Sequence, residues 1–289
     1  MLLHEFPNLT WLKEKINQRF DDGIGWNGRV LESRGWPTVL LNVQAKSTVR
    51  DQVKGPLSIF TNLKGSSFVE SDQTRAKLTE DTFFVSNADQ LYTLEMDLPV
   101  ETFNIHIGEK LSEEVLYACI HNESYLIDNA EVENKQTPNF YNKLYCKTPL
   151  FKGIVTQLST SVSKTEEQEL LGSLVDHLVA QTHHIKKQER SLNSLKESTR
   201  KEILKRLFLA TDYIYGHYQN EILLEELSQI SCLSKFHFLR VFKSTFRETP
   251  HQFITRLRME KAKQFLKEKS FTVKDIAYKV GNYPIQFIS

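Results

Sequence analysis

One helical pattern occurs twice in the last third of the chain, at a spacing of 49 residues. In the first copy Leu224 and Leu227 lie at helical spacing, a break follows at Cys232, and Phe238 and Phe242 begin a second apolar row four residues apart. The equivalent pairs are Leu224/Val273, Leu227/Ile276, Ser228/Ala277, Cys232/Gly281 and Phe238/Phe287. Because two copies in a basic segment are much harder to explain by packing alone than one, the pattern predicts tandem helix-turn-helix units, with Ser234 as a candidate N-cap of the first copy's second helix.

Charge is distributed unevenly along the chain. The 289 residues have a formal net charge of +1, but residues 200–289 hold 16 Lys and Arg against 9 Asp and Glu, a net of +7. That leaves −6 for residues 1–199. A basic segment joined to an acidic remainder is typical of a nucleic-acid-binding domain attached to a second domain. Lysine-rich, solvent-exposed helices would produce the same sum, so charge alone leaves both interpretations open.

The first half of the chain has short apolar runs between turn residues. These runs are residues 39–41, 57–60, 82–85, 91–94 and 102–107. Their regular recurrence predicts the strands of one sandwich or barrel. In front of them, residues 9–20 show the spacing of a short amphipathic helix.

After Gly108 the pattern becomes helical, over 111–120 and again over 166–187. The second helix carries an apolar stripe from Leu170 to Val179, which we expect to pack either on the β-domain or on a second subunit. The polar stretch over 186–200 is predicted to be an inter-domain linker.

Composition excludes several classes of protein. The chain is 40% hydrophobic and 25% charged, and no run of about 18 apolar residues occurs, so no membrane-spanning helix is expected. The N-terminus lacks the basic start and apolar core of a secretion signal. Cys119, Cys146 and Cys232 lie far apart without a C-x-x-C pair, which predicts neither a disulfide framework nor a cysteine zinc site. A reducing cytoplasm is the expected location.

Residues 200–289 also carry a series of motifs in a fixed order. They are Leu227-Ser228, the run 233–243 (LSKFHFLRVFK), Thr249-Pro250, Arg258-x-x-x-Ala262-x-x-x-Leu266 and Ile276-Ala277-x-x-Val280-Gly281. On these motifs the segment resembles the AraC/XylS-type DNA-binding domain of bacterial transcription regulators. Residues 57–107 are similar, more weakly, to the cupin-like sensor domain of such regulators.

The resemblance implies a multidomain α+β fold. We expect a cupin-like antiparallel β-barrel with an N-terminal helix over residues 1–110, and a helical segment with a linker over 111–199. An all-α tandem helix-turn-helix domain would then occupy 200–289.

The resemblance also implies which residues contact DNA. In the first recognition helix, Phe236, Leu239 and Arg240 would read bases, with Lys235 and Lys243 near phosphates. The alternatives are core packing for Phe236 and solvated surface charge for the lysines. In the second helix-turn-helix copy, the expected base-facing positions are Ile285, Gln286 and Ser289.

Three departures from the family pattern concern this domain. Arg247 stands where a glycine usually closes the first recognition helix, so it must adopt a left-handed conformation or end the helix differently. In the second unit Asn282 replaces an apolar residue and Pro284 falls at the helix start. Ser289 corresponds to Arg240, which predicts that the second recognition helix is cut short.

Other signals favour no catalytic or metal site. Gly23, Gly25 and Gly28 satisfy G-x-G-x-x-G, but no strand precedes them. The histidines of the second helix are not spaced i, i+4, and His106 has no set of further ligands around it. No cofactor is expected.

The sequence therefore predicts an effector-responsive, sequence-specific transcription regulator that is not an enzyme. Its implied partners are double-stranded promoter or operator DNA, a small-molecule effector, RNA polymerase and a second copy of the chain. The alternatives are a cupin-type binder or enzyme with a structural helical tail, and a truncated regulator with impaired DNA binding.

Overall fold

The computed structural model describes residues 2–7, 38–71, 74–88, 90–108, 111, 140–160, 163–192, 196–268 and 271–281. It divides into two compact units, Met1–His183 and His184–Ser289. The predicted helix over 9–20, the glycine motif at 23–28, most of the predicted helix over 111–120 and the second recognition helix lie outside the described residues.

Ten strands form the described β-structure of the first unit. They are β1 (Leu2–Leu3), β2 (Val39–Ala45), β3 (Thr48–Lys54), β4 (Leu57–Lys64), β5 (Ser67–Ser71), β6 (Thr74–Leu78), β7 (Thr82–Ser86), β8 (Leu91–Met96), β9 (Val100–Ile107) and β10 (Leu144–Cys146). One sheet has the order β1-β2-β9-β4-β7-β10 and the other β3-β8-β5-β6. All described pairs are antiparallel except β1 with β2. The predicted antiparallel β-domain is confirmed, with its strands arranged as two sheets.

Strand β9 of the larger sheet has buried side chains on both of its faces. Alternate side chains point to opposite faces of a strand. One face of β9 carries Phe103, Ile105 and Ile107, which are all fully buried. The other carries Thr102, Asn104 and His106, polar side chains that are nevertheless buried. One side of the larger sheet is therefore lined in part by buried hydrogen-bonding groups.

Two helices follow the sheets, α1 (Pro149–Leu158) and α2 (Lys164–Arg190). Thr148 caps α1 through its hydroxyl oxygen, which accepts from the Phe151 N–H at 3.1 Å. The stripe of α2 is buried within the single chain at Leu171, Leu174, Val175, Leu178 and Val179. Burial by the chain itself removes the need for a second subunit to cover it.

The segment predicted as a linker is largely helical. Helix α2 continues to Arg190, and the next helix, α3 (Glu197–His217), begins seven residues later. Leu192 is 5% exposed and belongs to the core of the second unit, so it supplies the apolar anchor that the polar composition conceals. Ser191 is held as well, because its carbonyl accepts from the Ser244 hydroxyl at 3.1 Å.

The second unit is helical throughout its described residues. After α3 come α4 (Leu224–Ile230), α5 (Lys235–Phe246), α6 (Pro250–Glu268) and α7 (Val273–Lys279). Their shared core centres on Phe242, whose ring lies 5.3 Å from Phe238, 4.6 Å from Phe246 and 5.7 Å from Phe253. The core residues predicted from the first copy of the repeat, Leu227, Phe238 and Phe242, are confirmed. No helix among the described residues is long and apolar enough to cross a membrane.

Candidate nucleic-acid interface

The two copies of the sequence repeat have the same backbone turn. In the first copy the turn between α4 and α5 passes through Cys232, which is left-handed with φ 50°. Forty-nine residues later Gly281 is left-handed with φ 75°. The anchors before each turn, Leu227 and Ile276, are 1% and 4% exposed. The repeat is therefore confirmed from the first helix of each unit to its turn.

The repeat extends to a pair of helix caps that the sequence analysis missed. Glu226 accepts from the Leu223 N–H at 3.1 Å, and Asp275 accepts from the Thr272 N–H at 3.0 Å. Thr272 completes a capping box, since its hydroxyl accepts from the Asp275 N–H. The same hydroxyl donates to the Asp275 carboxylate at 2.6 Å, and this hydrogen bond, with a smaller effect of the Thr272 N–H, holds the pKa of Asp275 below its ordinary value. The T-x-x-D spacing is the signal that would have revealed this cap.

The copies differ at one equivalent pair. Leu224 is half-buried and packs against the core of the second unit, whereas Val273 is 77% exposed. Val273 is the first residue of α7, and within the described residues nothing buries its side chain. The equivalence of the two copies therefore does not extend to the burial of this position.

Ser234 occupies the N-cap of α5 but caps with its backbone. Its φ and ψ are extended, and its carbonyl accepts from the Phe238 N–H at 2.8 Å. Its side chain makes no capping hydrogen bond. The predicted position of the cap is confirmed, without the expected role for the hydroxyl.

Helix α5 has two chemically distinct faces. Phe238, Val241, Phe242 and Thr245 are buried. Phe236 is 87% exposed, so the alternative that this ring packs in the core is wrong. The remaining predicted contact residues of this helix follow the same exposed side: Lys235, Arg240 and Lys243 are exposed and Leu239 is half-buried. Because these five positions recur at i, i+1, i+4, i+5 and i+8, they form one continuous face.

This face carries cations and an apolar ring together. Lys235 forms an ion pair with Glu225 of α4, and both side chains are about half exposed. Such a surface pair contributes about 0–1 kcal/mol, so a phosphate can displace the carboxylate at little cost. A large, exposed aromatic ring beside exposed arginine and lysine has no packing role in the isolated unit. The combination is suited to contact with a polyanion that also offers apolar groups.

Arg247 ends α5 in the left-handed conformation, with φ 64°. Its N–H donates to the Lys243 carbonyl at 2.9 Å. One of the two outcomes expected for this departure from glycine is therefore confirmed. A non-glycine residue in this region costs about 1–2 kcal/mol.

Arg256 is occupied by two carboxylates. It donates to Glu248 at 2.7 Å and to Glu260 at 3.1 Å, and its guanidinium lies over the Phe253 ring. Its hydrogen bond to Glu248 is the largest cause that raises the pKa of Arg256. Its charge is thus neutralised within the unit.

Arg258 joins three elements of the second unit. From α6 it donates to the Tyr218 carbonyl at 2.8 Å and to the Asn220 carbonyl at 2.8 Å, just after α3 ends. The turn glycine of the second copy lies at the same place, because a Cβ on Gly281 would be 2.4 Å from the Gln219 oxygen. Arg258 and Gly281 were both in the sequence motifs, but nothing in the sequence indicates that they meet. We call this contact the Arg258–Gly281 junction.

The first unit contains a cavity among β2, β3, β8 and β9. His106 lies in its wall with Nδ1 2.8 Å from the Ser58 hydroxyl. Burial, with a smaller effect of the Arg50 charge, lowers the pKa of His106 to about 4. Burial also raises the pKa of Tyr92, another wall residue, to about 12. Both side chains are therefore neutral at pH 7, and the described residues contain no group of three or more potential metal ligands.

Three predicted DNA-contacting residues, Ile285, Gln286 and Ser289, lie outside the described residues. The five residues predicted in the first recognition helix are brought together on α5.

Comparison with known proteins concerns mainly this second unit. Residues 227–282 match a family model described as a helix-turn-helix domain. Over 75 residues the chain is 35% identical to a probable transcriptional regulator, LumQ, of Photobacterium leiognathi, covering 26% of this chain and 30% of that protein. Over 72 residues it is 31% identical to the lactose operon transcription activator of Staphylococcus xylosus, covering 25% of this chain and 26% of that protein. The matches thus span less than a third of the length of these relatives.

Among solved structures, the chain is similar to ToxT from Vibrio cholerae. The TM-score is 0.36 at 12% identity, over 77% of this chain and 98% of that one. It is also similar to the AraC-like transcriptional activator CuxR, with a TM-score of 0.28 at 11% identity, over 77% of this chain and 72% of that one. The family match and the regulators matched in sequence confirm the resemblance of the C-terminal segment to the DNA-binding domain of transcription regulators.

Proposed function

We propose that the chain is a sequence-specific DNA-binding transcription regulator of bacterial type, and that its first unit responds to a small-molecule effector. The observation that carries this proposal is the exposed face of α5. Phe236 is 87% exposed in a helix where Phe238 and Phe242 are buried and Phe246 is half-buried, and it lies among exposed cations. A recognition helix requires this separation of faces, because one face holds the unit together and the other enters the major groove.

Each residue of this face has a role that its chemistry supports. Arg240 donates in bidentate fashion to the O6 and N7 atoms of a guanine. Phe236 and Leu239 pack on thymine methyl groups, and Lys235 and Lys243 neutralise phosphates on either side. Lys235 exchanges its contact with Glu225 for a phosphate oxygen when DNA binds.

We also propose a further recognition helix in the second helix-turn-helix copy, with Ile285, Gln286 and Ser289 as its base-facing residues. Helix α6 has 19 residues, about 28 Å at 1.5 Å per residue. That length is suited to holding two recognition helices near the separation of successive major grooves, roughly 34 Å. The Arg258–Gly281 junction supports the proposal, since it holds the turn of the second helix-turn-helix copy against the end of α3.

The wider proposal follows from the function. The partners are promoter or operator DNA, an effector, RNA polymerase and a second copy of the chain, in the cytoplasm. Residues 1–110 form the sensor domain, 111–199 the connecting segment and 200–289 the DNA-binding domain. The proposed role is that of a regulator and not of an enzyme.

The test is selection of bound sequences from a random DNA pool by the full chain, followed by fluorescence anisotropy on the selected site across a salt series. We expect a selected consensus, and affinity for it at least a hundredfold above that for unrelated DNA. Phe236→Ala and Arg240→Ala should each weaken specific binding about tenfold or more without changing the thermal midpoint, because both side chains are exposed.

The matched control is Lys152→Ala, which removes an exposed cation from α1 of the first unit. Its DNA affinity should equal that of the unaltered chain. A pool that yields no consensus, or variants of α5 that bind as tightly as the control, would contradict the proposal.

A further inference from the structure

The cavity of the first unit combines an apolar wall with a few polar side chains. Its apolar lining comes from Val39, Leu41, Val53 and Leu94, on strands of both sheets. Phe6 and Pro7 of the N-terminal segment also lie against it. Its volume is about 40 Å³. Small-molecule sites have this composition, in which a few placed polar groups orient an otherwise apolar ligand.

Asn104 is the first polar group of this wall and has an unpaired amide atom. It is fully buried on β9, and its Nδ2 has no hydrogen-bond partner among the residues that the structure describes. Its Oδ1 lies 3.0 Å from the Thr102 hydroxyl, which also lies 3.1 Å from the Thr61 carbonyl. Because a hydroxyl has one proton, these two contacts compete, and one end of the Asn104 amide stays unpaired in either orientation. Buried polar groups are ordinarily hydrogen-bonded, so a ligand is the partner that this amide lacks.

Arg50 is the second polar group and, with Lys54, one of two cations that line the cavity. Its Nη2 donates to the Pro7 carbonyl at 2.9 Å, and its guanidinium lies 5.4 Å from the centre of the Phe6 ring. Neither contact neutralises it. Among the described residues no carboxylate pairs with Arg50, and no acidic side chain lines the cavity. A guanidinium presents a fork of donors that fits a carboxylate.

We propose that this cavity binds a short-chain monocarboxylate. The carboxylate lies between the Arg50 guanidinium and the Asn104 amide, and the alkyl chain packs on Val39, Leu41 and Leu94. The small volume favours acids of about two to four carbons. This inference rests on the proposed effector response of the first unit and names the class of effector.

The test uses isothermal titration calorimetry of the full chain, without DNA, with butyrate and its neutral match butyramide. We expect saturable binding of butyrate, and binding of butyramide at least tenfold weaker, because only the acid engages the Arg50 charge. Arg50→Gln should weaken butyrate binding at least tenfold. Arg75→Gln is the matched control, since Arg75 lies on the same sheet as Arg50 but pairs with Glu95 and does not line the cavity.

Asn104→Leu separates ligand binding from folding. The leucine removes an unpaired amide, so the thermal midpoint of the ligand-free chain should stay the same or rise while butyrate affinity falls at least fivefold. A fall in both would show a structural role and overturn the assignment of Asn104. Equal binding of butyrate and butyramide, unchanged affinity in Arg50→Gln, or no saturable heat from butyrate would overturn the proposed ligand class.

Failure of this inference is distinguishable from failure of the proposed function. DNA binding is measured on the ligand-free chain, and butyrate binding is measured without DNA. Specific DNA binding without butyrate binding would overturn the ligand class alone. Butyrate binding without a selected DNA consensus would overturn the regulator alone.

Discussion

At the scale of single residues, Gly281 is a position where a side chain would require the backbone of the second unit to move. Its φ of 75° is in the region that favours glycine, and an added Cβ would be 2.4 Å from the Gln219 carbonyl oxygen. Both strain and contact therefore oppose any side chain. The sequence repeat aligned Gly281 with Cys232, but the reason why glycine is required here is a contact with a loop more than sixty residues away.

We expect Gly281→Ala to lower the free energy of unfolding of the chain by at least about 1–2 kcal/mol, because a left-handed alanine is strained and its methyl group displaces the Gln219 backbone. Urea unfolding followed by circular dichroism measures the change. The control is Gly172→Ala in α2, where an added Cβ meets nothing within 4 Å. That variant should gain up to about 1 kcal/mol from helix propensity. Equal stability of the two variants would contradict the close approach at Gly281.

His106 makes the stability of the first unit depend on pH. Its pKa in the folded chain is about 4 against an ordinary value of 6.5, so between these values the unfolded chain binds the proton more readily. The free energy of unfolding should therefore fall as the pH falls from about 6.5 to 4, and this residue's contribution should be constant below pH 4. From pH 7 to pH 5 the loss due to His106 should be about 2 kcal/mol.

The measurement is urea unfolding at pH 7 and pH 5 for the unaltered chain and for His106→Asn. Asparagine does not titrate, and its short amide can keep a contact with the Ser58 hydroxyl. The variant should lose less stability than the unaltered chain over this interval. If both lose the same amount, His106 is not the group that responds.

At the scale of elements, helix α5 combines a buried packing face with the face that we propose contacts DNA. Its period was readable from the sequence, because Phe238 and Phe242 recur at i, i+4. Whether Phe236 belonged to the core was not readable, since a phenylalanine fits either face. Only the placement of the neighbouring helices decided it, leaving Phe236 87% exposed.

The two kinds of contact on α5 should respond differently to salt. Lys243→Ala should reduce the slope of log Kd against log salt concentration by about 1, since one phosphate contact and its released counterion are lost. Phe236→Ala should leave this slope unchanged while lowering affinity for the selected site. Fluorescence anisotropy between low and high salt measures both. A slope that changes equally in the two variants would contradict the assigned roles.

The connecting segment over 186–200 is an element whose structure its composition did not predict. The stretch over 186–200 is polar, which is typical of a linker, yet α2 extends to Arg190 and Leu192 is buried in the core of the second unit. One well-placed leucine was enough to anchor the segment. Average composition does not reveal such an anchor, because burial depends on what packs against one residue.

At the scale of the whole molecule, the net charge of +1 is the sum of a basic C-terminal segment and an acidic remainder. The basic residues concentrate in the last 90 residues, where the exposed face of α5 lies, and the excess of acidic residues lies before them. A nearly neutral total is thus compatible with a strongly attractive surface for DNA. The cavity lies in the first unit, outside this basic segment.

The sequence by itself determined the local features of this protein: the strand and helix periods, the repeat, the turn at Gly281 and the cationic face of α5. Interactions between residues close in the chain set these features, so they are visible as spacing. Tertiary structure alone decided which distant residues meet. Arg258 reaches the end of α3, and Arg50 and Asn104 line one cavity, because sheet register and helix packing bring together residues that no local pattern connects.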